Sequence, residues 1–297
     1  MPESYANAYK DSIQDSKRRT FAGMLSAVDE GIGNVTAALK ARGMLENTLF
    51  VFTSDNGGPI LGGDAVGARN WPLRGGKHSI WEGGVRATAF VSGFGLRKTG
   101  REYQGLMHGA DWLPTLGEVA GYDLQGTLPL DGVSQWAALS GKTPATPRTE
   151  VVLGNSTNLC SWQDENDPRR ARYLDEDINA QQKGCGFAIR SQQWKLLQGY
   201  GGAPDRACNT SSAGDQVSCR AQSGTGTATC PDGWCLYDVT SDPYEENEIS
   251  GDSPDVLASL KTRMGAILRG YTQYELDRSC APHKFVNTSL PVWAPWC

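Results

Sequence analysis

Histidine is scarce in this 297-residue chain, cysteine is missing from its first 159 residues, and no long run of lysine or arginine occurs. Each shortage excludes something. Only His78, His108 and His283 are present, and a site built on two His-ligated zinc ions would lack ligands. A net charge of −5 without a basic stripe argues against nucleic acid as partner. No apolar stretch is long enough to span a bilayer. The N-terminus, Met1-Pro-Glu-Ser-Tyr-Ala-Asn-Ala-Tyr-Lys10, has neither a basic flank nor an apolar core, so it does not read as a signal peptide.

What is present describes a folded protein with two unlike halves. Hydrophobic residues make up 39% and charged residues 21%, an ordinary balance for a globular chain. All eight cysteines (Cys160, Cys185, Cys208, Cys219, Cys230, Cys235, Cys280, Cys297) lie in the second half. An even number in a Gly/Ser/Thr-rich region reads as a disulfide framework made in an oxidising compartment, with about 105 possible pairings; eight reduced thiols are the plainer alternative. Four glycosylation sequons, at Asn34, Asn155, Asn209 and Asn287, point the same way. These features without an export signal are consistent if the beginning of the chain is missing. The expected destination is then lysosomal or secreted.

From Arg19 to Gly43, Phe21, Met24, Leu25, Val28, Ile32, Val35 and Leu39 recur at helical spacing, which predicts an amphipathic helix with its stripe in the core. Leu49-Phe-Val-Phe-Thr53 follows as a short apolar strand, the pattern of a parallel sheet covered on both faces, and Ala87-Thr-Ala-Phe-Val-Ser92 reads as another. Asp111 is placed to cap a helix containing Trp112, Leu113, Leu116 and Val119. Pro and Thr enrichment at residues 140–149 marks a boundary, giving units 1–145 and 146–297. Beyond it, Phe187-Ala-Ile-Arg and Trp194-Lys-Leu-Leu predict a hairpin and Cys235-Leu-Tyr-Asp-Val a strand. A helix is expected over residues 254–274 behind a Ser253 cap.

Chemistry concentrates where the first strand ends. Asp55 and Asn56 stand side by side at its carboxyl end, followed by Gly57 and Gly58; that edge is where open α/β sheets bind ligands, and adjacent oxygen donors suit a hard cation such as calcium. Downstream, Arg69, Arg74 and Lys77 sit among glycines that let backbone approach an anion such as sulfate or phosphate. Lys77 would act as a compact point charge on a transferring group. His78 is adjacent, and Trp71 and Trp81 flank the loop as candidate sugar platforms. For His78 a surface role is at least as well supported as acid catalysis.

Ser54-Asp55-Asn56-Gly57-Gly58, the block from Gly75-Gly76-Lys77 to Glu82-Gly83-Gly84-Val85-Arg86, and Asp111-Trp-Leu-Pro-Thr115 together resemble the type I sulfatases, in order and in spacing. Asn70-Trp-Pro-Leu-Arg-Gly and the closing Val292-Trp-Ala-Pro-Trp296 are most similar to the arylsulfatase B-like branch, which acts on sulfated N-acetylgalactosamine. The resemblance implies the later part of an alkaline-phosphatase-like, doubly wound α/β sheet, followed by a small antiparallel sheet with one helix. It implies Ca2+ held by Asp55 and Asn56, sulfate contacted by Lys77, and Arg74, Trp71 and His78 near the substrate. The implied partner is a sulfated carbohydrate or an aryl sulfate.

The same resemblance exposes a gap. The family's nucleophile is a formylglycine made from cysteine in a Cys-x-Pro-Ser-Arg motif, and this chain has none; Cys230-Pro-Asp-Gly233 has other residues and follows the metal motif. Calcium takes about six to eight oxygens, and Asp55 with Asn56 supply two or three. The expectation is the C-terminal part of a sulfate ester hydrolase, weakly active or inactive alone. Its rivals are a phosphate-ester hydrolase of the same superfamily and a non-catalytic calcium- or glycan-binding remnant. Ser54-Asp-Asn56 and Lys98-Thr-Gly100 also spell two β-lactamase signatures, but the Ser-x-x-Lys partner does not occur.

Overall fold

The computed structural model describes residues 2–60, 67–97, 99–124, 128–155, 187–199, 201, 208–209, 218–219 and 233–269. Asn287, His283 and the closing Val292–Trp296 segment lie outside them, as do Cys160, Cys185, Cys230, Cys280 and Cys297. The α/β class expected from the motifs holds: helices accompany small sheets.

The first half is built on helix α2 (Ser16–Ala41), which starts where Asp15 accepts the Arg18 N–H at 2.6 Å. Helix α1 (Glu3–Asn7) crosses it at Gly23, where an added Cβ would lie 2.8 Å from the Ala6 nitrogen. The helix is the predicted one, but its stripe is not covered: Met24, Leu25, Val28 and Val35 are exposed among the described residues. A chain reversal then leads into β1 (Leu49–Thr53). Its partner is β2 (Ala89–Gly93), in antiparallel register from Leu49↔Gly93 to Thr53↔Ala89. The expectation of a buried parallel strand therefore fails locally. The segment between the strands doubles back, and Phe90, stacked on Phe52 with ring centroids 5.2 Å apart, remains exposed.

Helices α3 (Glu82–Val85), α4 (Trp112–Val119) and α5 (Trp136–Leu139) complete this half. The Asp111 side chain does not cap α4 as the sequence suggested; it reaches back to tie the turn before the helix, a turn whose N-cap is His108. Asp111 Oδ2 accepts the His108 N–H at 2.8 Å, while His108 Nδ1 accepts from Ala110 N–H at 3.1 Å. Asp111 also binds Arg148 at both nitrogens, Nε at 2.7 Å and Nη2 at 2.5 Å.

The second half is a sheet of order β3-β4-β5-β8, from β3 (Glu150–Asn155), β4 (Phe187–Ser191), β5 (Trp194–Gln198) and β8 (Trp234–Asp238), antiparallel throughout. A separate two-residue pair joins β6 (Cys208–Asn209) to β7 (Ser218–Cys219). Period-two alternation gives the larger sheet two buried faces. Ile189, Leu196 and Leu236 pack under helix α6 (Pro254–Arg269) against Leu260 and Met264. Ala188, Leu197, Cys235 and Tyr237 point the other way and close on Trp81, from the first half. The hairpin and strand predicted beyond the boundary are present, the predicted helix is present over Pro254–Arg269 with 270–274 outside the described residues, and the sheet's second face carries the segment that holds the candidate site.

Candidate active site

Two loops interlock at the end of β1. Ser54 extends the ladder, donating its N–H to the Thr88 carbonyl at 2.9 Å, so Asp55 leaves at the strand's carboxyl edge. Asp55 Oδ1 accepts the Asn56 N–H at 2.8 Å, and Asn56 Nδ2 donates to the Gly57 carbonyl at 2.7 Å. This fixes the donor end of the Asn56 amide on backbone, next to the exposed Asp55 carboxylate.

The second loop lies directly on the first. Gly57 N–H donates to the Gly84 carbonyl at 2.9 Å, and Lys77 N–H to the Gly58 carbonyl at 3.2 Å. Glycine is required by this contact: a Cβ on Gly57 would stand 1.7 Å from the Gly83 oxygen, and one on Gly76 2.5 Å from the Gly58 oxygen. The glycines that composition suggested were for a ligand are used, at these positions, to bring two backbones together. The loop turns at His78, which is exposed and held at φ +72°, an uncommon conformation for a side-chain-bearing residue.

Asn70 clamps the pair. Its Oδ1 accepts from Gly58 N–H at 2.8 Å, and its Nδ2 donates to the carbonyls of Gly58 at 2.9 Å and Gly75 at 3.0 Å. Sequence reasoning quoted Asn70 in a motif but gave it no role; an amide flanked by glycine pairs was the available signal. Trp71 follows, about half exposed, in a turn closed by Leu73 N–H donating to the Asn70 carbonyl at 2.9 Å, with a cis Trp71–Pro72 peptide at its apex.

Asp55, Asn56, Lys77, His78 and Trp71 thus belong to one loop cluster, whereas Arg74 turns away. Its guanidinium carbon stacks 3.8 Å from the Trp81 ring, Nη1 donates to the Glu245 carbonyl at 2.8 Å, and Tyr237 shares a hydrogen bond with it. Trp81 is 2% exposed and meets Tyr237 edge-on at 6.0 Å, so it is a core residue and no sugar platform. Beneath this layer, Glu82, Lys195 and Glu245 are fully buried. Lys195 Nζ lies 2.7 Å from Glu245 Oε1 and 3.2 Å from Glu82 Oε1, and Arg190 Nη1 lies 2.6 Å from Glu82 Oε2. Burial pushes the Glu245 carboxyl above the usual carboxylate range, an effect that Lys195 offsets only in part.

Among the described residues no three His, Cys, Asp or Glu side chains cluster as a metal site. The donors present, one carboxylate and one amide oxygen, fit a calcium ion in kind and fall short in number. Of the sequons, Asn34 is exposed on α2, while Asn155 and Asn209 fall in β3 and β6.

An interlocked acid–amide turn and a glycine-bracketed lysine thus stand together at the carboxyl end of a strand. Residues 1–122 match the family model described as Sulfatase, which places this part of the chain in the sulfatase family. Arylsulfatase J of Mus musculus is 32% identical over 300 residues, covering 99% of this chain and 47% of that protein. Arylsulfatase A of Homo sapiens is 30% identical over 256 residues, covering 83% and 43%. The chain therefore spans about half the length of these arylsulfatase relatives. In fold it is similar to Ps i-CgsB, solved in complex with k-i-k-neocarrahexaose (TM-score 0.63, 23% identity, 89% of this chain and 46% of that one). It is also similar to the putative sulfatase yidJ from Bacteroides fragilis (TM-score 0.56, 17% identity, 91% and 50%). Among the described residues no helix is long and apolar enough to cross a membrane.

Proposed function

We propose that this chain carries the calcium- and sulfate-holding part of a sulfate ester hydrolase of arylsulfatase B-like type. The observation that supports this most is the Lys77 N–H on the Gly58 carbonyl at 3.2 Å, which holds the lysine loop against the Asp55–Asn56 turn. Asp55 and Asn56 would hold calcium through oxygen, and the ion, when bound, would offset charge on the sulfate oxygens. Lys77 places a further positive charge at the same strand end, where it stabilises the charge that grows on the leaving oxygen. His78 and the exposed Trp71 face the sugar side of the substrate, the indole offering an apolar face to a pyranose ring. Arg74 acts on the substrate only through the shape of its loop.

The nucleophile and the remaining calcium oxygens belong to polypeptide outside this chain, in keeping with the absence of Cys-x-Pro-Ser-Arg and with a coverage of about half the arylsulfatase relatives. The substrate is a sulfated glycosaminoglycan sugar or an aryl sulfate; the similar fold of a protein solved with k-i-k-neocarrahexaose is consistent with a carbohydrate. A lysosomal or secreted setting, with the cysteines oxidised and the sequons glycosylated, is supported by the disulfide at Cys235. Titration with inorganic sulfate in the presence of calcium tests the reading. Binding that Lys77→Ala removes is expected, and equal binding by wild type and Lys77→Ala would refute it.

A further inference from the structure

Antiparallel register places Arg190 opposite Lys195 and Lys195 opposite Tyr237, so three neighbouring strands present one polar rung on the face that meets the site loops. This rung shares its face with Ala188, Leu197 and Cys235, where a lysine would ordinarily be excluded. Its partners come from elsewhere in the chain. Glu82, the first residue of α3, receives Arg190 at 2.6 Å and Lys195 at 3.2 Å; Glu245 receives Lys195 at 2.7 Å and accepts the Glu82 N–H at 2.7 Å. Two carboxylates and two cations balance, as burial requires.

The cluster is mechanically continuous with the lysine loop. Gly83, next to Glu82, donates its N–H to the Arg74 carbonyl at 2.7 Å, and the Gly84 carbonyl accepts from Gly57 at 2.9 Å. Cβ atoms on Gly83 and Gly84 would both lie 2.5 Å or less from backbone oxygens of the 74–79 loop. A shift of α3 cannot be absorbed there, and it would displace the loop together with Gly57, Gly58 and Lys77. On the far side, Ile80 N–H donates to the Gly201 carbonyl at 2.8 Å, just beyond the β5 end.

We propose that the Glu82–Lys195–Glu245–Arg190 cluster is the device that positions Lys77, so that the four-stranded sheet of the second half is a working part of the anion site. Lys195 and Arg190 are positioning residues, acting through Glu82 and α3. The role rests on the sulfate reading given above, although the positioning itself can be measured without sulfate.

Hydrogen exchange on the whole chain, with Arg190→Gln, Arg190→Lys and Lys195→Met, tests this. In Arg190→Gln the amides of Gly57, Lys77 and Gly83 should exchange about tenfold faster while β4 and β5 keep their protection. The sulfate dissociation constant should rise about tenfold in step. Arg190→Lys should restore both, and Lys195→Met should exceed Arg190→Gln. Should Lys195→Met fail to fold, Arg190→Gln and its lysine rescue decide alone. Unchanged loop amides in Arg190→Gln would overturn the proposal, as would loop and sheet amides accelerating together. Wild-type protein that binds no sulfate would instead refute the sulfate reading, with the exchange result still deciding the positioning.

Discussion

Asn70 and Gly58 hold each other in both directions, Gly58 N–H to Asn70 Oδ1 at 2.8 Å and Asn70 Nδ2 to the Gly58 carbonyl at 2.9 Å. One amide side chain thereby stands in for a strand partner and registers the Asp55–Asn56 turn against the lysine loop. Asn70→Ala should cost about 1–3 kcal/mol, because it leaves half-buried backbone groups unpaired. Asn70→Asp, which sets a carboxylate oxygen against the Gly58 and Gly75 carbonyls, should cost at least as much. Urea unfolding of the three proteins checks the order.

Two glycine substitutions should have opposite signs. Gly57→Ala puts a methyl 1.7 Å from the Gly83 oxygen, which no side-chain rotation relieves, so the two loops must separate. Gly33→Ala, inside α2 with nothing within 4 Å, should stabilise by about 0.5–1 kcal/mol through helix propensity. Thermal melts report both, and a destabilised Gly33→Ala would show that α2 is not helical there.

Calcium should raise the melting temperature of the wild-type chain. Binding to the folded state alone contributes about 2.7 kcal/mol at a free concentration one hundred times the dissociation constant. Asp55→Ala should abolish the response while leaving the calcium-free melt nearly unchanged, since Asp55 is exposed. A response that survives this substitution would locate the ion elsewhere.

The Asp111–Arg148 pair predicts an acid limb. Burial pushes the Asp111 carboxyl up, but Arg148 and the N–H groups of His108 and Val133 outweigh it and hold the group below its ordinary range. A carboxyl depressed in the folded state stabilises at pH above its unfolded value, about 3.9, and that contribution fades as pH falls through the lower folded value. Arg148→Met should remove this acid loss and cost about 3–5 kcal/mol near neutrality, by leaving a buried carboxylate without its cation, a cost that shrinks as acid protonates Asp111. Denaturant melts from pH 3 to 7 would show an unshifted acid limb if the pair is unimportant.

Much of this was legible in the residues, and the exceptions have a common cause. The β1 strand, the long first helix, the 187–198 hairpin and the last helix are written in local periodicity, which neighbours along the chain enforce. The capping role expected of the Asp111 side chain did not hold, since its carboxylate is taken by the His108 turn and by Arg148, 37 residues away. The antiparallel pairing of β1 with β2 was not legible, because a short apolar run carries no record of its partner's direction. Nor was the stacking of Arg74 on Trp81, which looks from sequence like one more cation beside Lys77 and is decided by Tyr237 and Glu245 more than 150 residues away. Lys195 left a trace, a lysine on an apolar face of a strand, but nothing local names Glu82 as its counter-ion.

The central claim is that Lys77 and the Asp55–Asn56 turn hold a sulfate ester for hydrolysis. The most direct measurement is sulfate release from an aryl sulfate by this chain combined with the part of Arylsulfatase J that it does not cover, with and without Lys77→Ala. The account predicts turnover for the combined protein, falling about 10²–10³-fold on Lys77→Ala, and little turnover by the chain alone. Equal turnover by the Lys77→Ala protein would contradict it, and so would robust release by the chain alone.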